Sequence, residues 1–194
     1  MDFAERMSIW LGAVDAIALQ TAQRDAQAVG AALPTRGSGA AVSLEEEFQQ
    51  VRQVLLRAIA RDPVEDAMPL EPPYTCYQRR HFELQRQMTQ MVGALRQRAR
   101  EQMSGRSVRL RQLAILDASM EQLLGRREQA LLVSAAIALE RQFKRAHKEA
   151  APQWQEHFTA HWQQALQAEL DLRLAPAAGV VAALRNEQNN TAHP

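Results

Sequence analysis

Apolar residues recur at intervals of three and four along almost the whole chain, which predicts helices, and the alternation typical of strands is nearly absent. The first stripe predicts a helix over about residues 3–27. Its members are Phe3, Met7, Trp10, Leu11, Val14, Ile17 and Ala18. A second helix follows, with Ser43 and Glu46 in the pattern of a capping box at its start. We expect it to end before Pro63, because a proline pushes the preceding residue out of helical geometry.

Four prolines between residues 62 and 73 predict a stiff linker, the clearest boundary in the chain. Beyond it, the spacing predicts a long antiparallel αα-hairpin over about residues 74–148 that turns at Ser104 and Gly105. The predicted seam of its first helix comprises Tyr77, His81, Leu84, Met88, Met91 or Val92, Leu95, Ala99 and Gln102. The matching seam of its second helix comprises Leu113, Leu116, Met120, Leu123 or Leu124, and Leu131.

Two more helices are predicted after the hairpin. Pro152 can occupy the first turn of a helix that reaches about Leu174, and Pro176 can start a last short helix through Leu184. The apolar stripe of the longer one comprises Trp154, Phe158, Trp162, Leu166 and Leu170. The predicted fold class is therefore an all-α bundle of five to six helices. Its parts are a helical pair (1–61), the proline-rich linker (62–73), the hairpin with the C-terminal helices (74–186), expected to form one cooperative unit with 1–61, and a disordered tail (187–194).

Composition is that of a globular protein with a self-sufficient core, since 46% of the 194 residues are hydrophobic. The single Cys76 cannot form an internal disulfide, which is typical of a reducing compartment, and we expect its thiol to be buried or idle. The N-terminus has no signal-peptide pattern. The longest apolar run, residues 130–139, is half the ~20 residues that a bilayer requires. We expect a cytoplasmic protein without membrane insertion.

Charge changes this picture, because the formal net charge of +1 hides a strong segregation. Residues 72–148 carry 15 Lys or Arg against 6 Asp or Glu, whereas residues 1–71 carry 6 against 11 and residues 149–194 carry 2 against 5. A basic helical middle between acidic ends steers partners by its field, although it does not identify them. The segregation also permits self-association into a homo-oligomer.

Six arginines of the basic middle surround the predicted hairpin turn. They are Arg96, Arg98, Arg100, Arg106, Arg109 and Arg111. Such a cluster could bind an acidic protein surface, the acidic ends of a second copy, or phosphates, and a solvated surface without a partner is the alternative. Asp117 and Glu121 lie one helical turn apart, and we expect them to pair with Arg127 or with arginines of the preceding helix rather than to perform acid–base chemistry.

The most site-like arrangement of catalytic residue types is His157 with His161, which lie on one helical face and could ligate one metal ion. A zinc protease would need a glutamate directly after the first histidine, and Phe158 stands there. Two surface histidines beside a packing stripe are the stronger interpretation. We therefore expect no metal, no cofactor and no catalytic activity.

Several segments resemble an uncharacterised bacterial family, the domain-of-unknown-function family 3348. The resembling residues are Phe3 to Arg6, Trp10-Leu11, Asp15 to Ile17, Leu116-Asp117, Met120-Glu121, Leu124, Arg127-Glu128, Leu131-Leu132, Ala168 to Arg173, Pro176 and Gly179 to Leu184. The resemblance implies a helical fold with no assigned activity or catalytic residues, and relatives that carry a further N-terminal segment. It also implies genes that neighbour envelope-protein genes, including one for an OmpA-like protein.

The sequence thus predicts a non-catalytic, cytoplasmic helical interaction or scaffold protein with a protein partner. An accessory role in a membrane-anchored envelope assembly is the role that the resemblance implies. Sequence-independent nucleic-acid binding through the arginine-rich turn is the alternative, although stacking aromatic residues are missing around that turn.

Overall fold

The computed structural model describes residues 20, 41–66, 74–149 and 151–192. Over those ranges the chain forms four α-helices and one short 3-10 helix, without a strand. The elements in chain order are α1 (Ala41–Ala60), the 3-10 helix (Pro63–Asp66), α2 (Thr75–Ser104), α3 (Val108–Glu149) and α4 (Trp154–Ala192). The prediction of an all-α bundle is confirmed, and the helix predicted over about residues 3–27 lies, apart from Gln20, outside the described residues.

The helices α2 and α4 run side by side in the same direction. The Tyr77 hydroxyl lies 2.6 Å from Thr159 Oγ1, and Gln85 Nε2 donates to Glu169 Oε2 at 3.1 Å. The difference in residue number between the contacting residues is therefore nearly constant along the two helices, as parallel helices require. Both α1 and α3 run antiparallel to this pair, and each contacts both members. Because α1 and α3 do not contact each other, they lie on opposite sides of the central pair.

The buried face of α2 follows the predicted seam. Its buried residues are Cys76, Tyr77, His81, Leu84, Met88, Val92, Leu95, Ala99 and Met103. The predicted periodicity is confirmed except at the last position, where Met103 rather than Gln102 is buried. At the end of the bundle away from the α2–α3 turn, the rings of Tyr77 and Phe143 both pack edge-on against Phe158, each with centroids 5.0 Å apart.

The seam predicted for α3 is wrong. Its buried residues are Leu110, Arg111, Ala114, Asp117, Leu139 and Phe143, and no described side chain from 118 to 138 is buried. At 100° per residue, the buried face is rotated by roughly a quarter of a turn from the predicted one. Residues 130–139 are apolar around most of the helix, so spacing does not define an inner face there. Nearer the turn, charged residues occupy inward positions that the pattern assigns to the surface.

Three predicted boundaries differ from the structure. The helix α4 continues through Pro176 without a break, because buried side chains on both sides, including Leu174 and Ala177, hold the two halves against the bundle. It also reaches Ala192, so the disordered tail is wrong for residues 187–192. At the other end, α1 is already helical at Ala41, so the predicted N-cap at Ser43 is wrong.

Candidate functional site

Two of the six predicted arginines, Arg96 and Arg100, join α2 to α3 instead of facing solvent. Arg96 donates to both carboxylate oxygens of Asp117, from Nη2 at 2.7 Å and from Nε at 2.9 Å. Arg100 Nη1 donates to Asp117 at 3.0 Å and to Glu121 at 2.6 Å. Burial alone would lower the pKa of Arg100, but the hydrogen bonds to Glu121 and Asp117 raise it. The prediction that these carboxylates pair with arginines of the preceding helix is confirmed.

Arg98 and Arg111 are also held by groups of the same chain. Arg98 forms an ion pair with Glu47 of α1. Arg111 is buried, and its Nε donates to the carbonyl oxygen of Ser104 at 3.3 Å, which ties the start of α3 to the end of α2. Four of the six arginines therefore stabilise the contacts between helices.

Arg106 and Arg109 remain at the α2–α3 turn, and neither forms an ion pair with any residue that the structure describes. The turn holds them in place, because Arg106 N donates to the Met103 carbonyl at 3.2 Å and the Ser107 hydroxyl accepts from Leu110 N at 3.3 Å. This second contact confirms the predicted N-cap at Ser107.

A concavity of mixed polar and apolar lining adjoins Arg109, and we call it the tip groove. It has a volume of about 520 Å³. Its lining residues are Arg109, Leu110, Leu113, Ala183, Asn186, Glu187 and Asn189. Val108, beside it in sequence, is 43% exposed. Cationic, acidic and apolar side chains thus meet at this end of the bundle.

The weak metal candidates His157 and His161 lie one turn apart on the exposed face of α4, on either side of the buried Phe158. Within the described part of the chain, no group of three His, Cys, Asp or Glu side chains is placed to hold a metal ion. Two exposed histidines alone do not make a site, because a zinc ion takes at least three protein ligands.

A buried polar cluster links α2, α3 and α4, and sequence reasoning missed it. Glu169 is buried and accepts from Gln85 Nε2 at 3.1 Å and from Arg173 Nε at 2.9 Å. Arg173 also pairs with Glu128 of α3 at 3.2 Å. The four-residue spacing of Glu169 and Arg173 was the available signal. Each charge in the cluster has an opposite partner, so the cluster contributes to the packing of the three helices.

Three more reactive side chains, those of Cys76, Tyr74 and Tyr77, lie near the aromatic end of the bundle. The thiol of Cys76 is buried, as the sequence predicts. Burial, together with the charge of Glu140, raises the pKa of Tyr74 to about 12. Burial also raises the pKa of Tyr77, although its hydrogen bond to Thr159 opposes this. These phenols remain protonated at neutral pH and serve packing.

The described part of the chain therefore belongs to the class of all-α helical bundles. Arginines and exposed apolar side chains lie together at the end that carries the α2–α3 turn. The chain matches the family described as "Protein of unknown function (DUF3348)" over residues 1–186, and it belongs to that family. This confirms the resemblance read from its short motifs. No curated protein and no solved structure gives a significant match to the chain. Of the described helices, none has an apolar stretch long enough to cross a bilayer.

Proposed function

We propose that this protein is a non-catalytic, cytoplasmic interaction protein that binds a partner protein through the hairpin tip. The observation that supports the proposal is which of the six arginines near the α2–α3 turn form contacts within the chain. Four of the six are engaged within the chain, whereas Arg106 and Arg109 have no acidic partner among the described residues and stand beside exposed apolar side chains.

The chemistry of the surface suits an amphipathic helix with acidic residues beside an apolar face. Its carboxylates would accept from Arg106 and Arg109, and its apolar side chains would cover Val108 and enter the tip groove. The family resemblance makes a component of a membrane-anchored envelope assembly the first candidate for such a partner.

A charge reversal at the tip tests the proposal. Untagged co-purification from the native host identifies the partner, and binding is then measured by calorimetry with Arg106→Glu/Arg109→Glu. We expect affinity to fall at least about a hundredfold, because two attractive contacts become repulsive. The matched control is Arg141→Glu/Arg145→Glu, which makes the same charge change at exposed positions far along α3. Unchanged affinity in the tip variant would overturn the proposal.

Nucleic-acid binding is the alternative for the same surface, and it has less support. Arg96, Arg98, Arg100 and Arg111 are engaged within the chain, so few cations remain for phosphates. Each phosphate contact contributes a salt slope of roughly −0.9 for duplex DNA, so two arginines would give roughly −2. A titration of short duplex and single-stranded DNA and RNA decides the question, and no binding at about 50 mM salt removes the alternative.

A further inference from the structure

The middle of α3 carries apolar side chains that the bundle leaves exposed. Within residues 130–138, Val133 is 54% exposed, and Leu131 and Ile137 are each 45% exposed. The alanines of this segment that are exposed as well are Ala130, Ala135 and Ala138. Ser134 is the only polar residue among the nine. An exposed apolar segment of this kind is typical of an interaction site.

One face of α3 joins this apolar segment to a row of cations, and we call it the outer α3 face. Its residues, all exposed, are Ala130, Val133, Ile137, Arg141, Lys144 and Lys148. At 100° per residue, these six positions fall within an arc of about 80° around the helix. Leu139 and Phe143 lie on the other side of the helix and are buried, so the outer α3 face points away from the bundle.

The outer α3 face is cationic along the half that follows the apolar segment. Lys144 pairs with Glu140 at 2.6 Å, but its side chain remains 70% exposed. Neither Arg141 nor Lys148 forms an ion pair with a residue that the structure describes. Glu149, the other acid of this stretch, lies about 100° around the helix from Lys148. The field of the face therefore attracts an anionic partner, whereas a second copy would present the same cations and be repelled.

We propose that the outer α3 face binds the surface of a membrane that contains anionic lipids. The face is a convex strip of one helix, roughly 27 Å long at 1.5 Å per residue, and a lipid surface accepts a convex strip without a matching groove. Its apolar side chains are small and aliphatic, whereas protein interfaces are anchored mainly by aromatic side chains and arginines in pockets. Val133 and Ile137 would enter the boundary between headgroups and acyl chains, and the cations would contact lipid phosphates.

Neither half of the outer α3 face is sufficient alone, because stable attachment to a membrane surface generally takes an apolar and an electrostatic contribution together. Each Lys or Arg close to an anionic surface strengthens binding on the order of fivefold. Arg141, Lys144 and Lys148 together therefore strengthen it roughly a hundredfold. Salt shortens the range of this attraction, so binding should weaken steeply as the ionic strength rises.

Vesicle flotation with the full chain tests the proposal. One set of vesicles contains equal parts of phosphatidylcholine and phosphatidylglycerol, and the other contains phosphatidylcholine alone. We expect the chain to float with the anionic vesicles at about 50 mM salt and to be released from them at about 500 mM salt. No binding to the anionic vesicles, or equal binding to both sets, would overturn the proposal.

Two glutamine variants separate the two halves of the face, and glutamine is chosen because it favours helices. Arg141→Gln/Lys144→Gln/Lys148→Gln should weaken binding to the anionic vesicles roughly a hundredfold. Val133→Gln/Ile137→Gln should weaken it at least about tenfold, because less apolar surface leaves water. The matched control, Val54→Gln/Arg57→Gln, removes an exposed apolar side chain and an exposed cation from α1, on the opposite side of the central pair. Unchanged binding in both face variants, with helicity kept by circular dichroism, would contradict the assignment.

Two further measurements exclude other occupants and other sites. Arg106→Glu/Arg109→Glu should float like the unaltered chain, and a loss in this variant alone would assign lipid binding to the hairpin tip instead. Poly-L-glutamate tests for an acidic protein as the occupant. Binding of poly-L-glutamate that is lost in the cation variant, without vesicle binding, would overturn the membrane proposal in favour of such a protein. The calorimetric test of the tip contains no lipid, so either proposal can fail without the other.

Discussion

His81 occupies a seam position of α2 where helical spacing predicts an apolar side chain, and only 6% of it is exposed. Its Nε2 has no hydrogen-bond partner among the described residues. Burial lowers the pKa of the imidazole, and the charge of Glu169 opposes that effect only in part. The side chain therefore stays neutral at a pH where a solvent-exposed histidine takes up a proton.

This burial makes the stability of the fold depend on pH. As the pH falls below about 6.5, the unfolded chain binds a proton at His81 that the folded chain does not bind, so the free energy of unfolding decreases. The decrease is at most about 1.4 kcal/mol per pH unit, and it ends below the lowered pKa of the folded state. Urea unfolding between pH 7.5 and 5 measures it.

The contribution of His81 is isolated by substitution. His81→Phe should flatten the pH dependence of the free energy of unfolding, since it removes the group whose protonation differs between the two states. The matched control is His157→Gln/His161→Gln, which alters two exposed histidines and should leave the slope unchanged. A slope in His81→Phe equal to that of the unaltered chain would show that other groups carry the dependence.

At the scale of elements, the contact between α2 and α3 near the turn depends on one carboxylate. Asp117 is buried and accepts hydrogen bonds from both Arg96 and Arg100, whereas Glu121 is 40% exposed. Removing Asp117 leaves the Arg96 guanidinium without its main acceptor in a region that water reaches poorly, and it takes from Arg100 one of its two carboxylate acceptors. The network therefore stabilises the register that packing gives the two helices.

We expect Asp117→Ala to lower the free energy of unfolding by about 3–5 kcal/mol, the usual effect of breaking a buried ion pair. Glu121→Ala is the control, because its more exposed carboxylate should contribute no more than about 1 kcal/mol. Urea denaturation followed by circular dichroism measures both. If Asp117→Ala and Glu121→Ala lowered the free energy of unfolding equally, the two carboxylates would contribute equally to stability despite their different burial.

At the scale of the whole molecule, α1 is bound to the bundle by more than the segment that follows it. Leu55 and Ile59 are fully buried, and the last carbonyl groups of α1 accept hydrogen bonds from Arg80 of α2 at 2.8 Å and Gln163 of α4 at 3.1 Å. The segment with four prolines separates α1 from α2 in sequence but not in packing. We therefore propose that α1 and the other helices unfold as one cooperative unit.

Ile59→Ala tests this cooperativity. It should lower the stability of the whole bundle by about 2–5 kcal/mol, because it opens a cavity in a fully buried site. In a Trp10→Phe background the fluorescence reports only Trp154 and Trp162, which lie on α4. Circular dichroism and this fluorescence should still report one coincident transition. A loss of helicity that precedes the fluorescence change would show that α1 unfolds separately.

The sequence could predict those faces on which apolar residues occupy one side only. In α2 and α4 the stripes that contain Leu84 and Leu166 identify the buried faces, because polar residues fill the other sides. In α3, residues 130–139 are apolar nearly all round, and the inward positions near the turn hold Arg111 and Asp117. Spacing alone therefore selected a face about a quarter of a turn away from the buried one.

By itself, the sequence determined that the chain is helical, how its charges are segregated and which family it belongs to, since these depend on local pattern and composition. The tertiary structure decided which arginines of the hairpin turn are engaged. An ion pair between Arg96 and Asp117 depends on the register of two helices, and that register is set by packing over the whole bundle. For the same reason, only the assembled helices showed that Arg106 and Arg109 form no ion pair with any described residue.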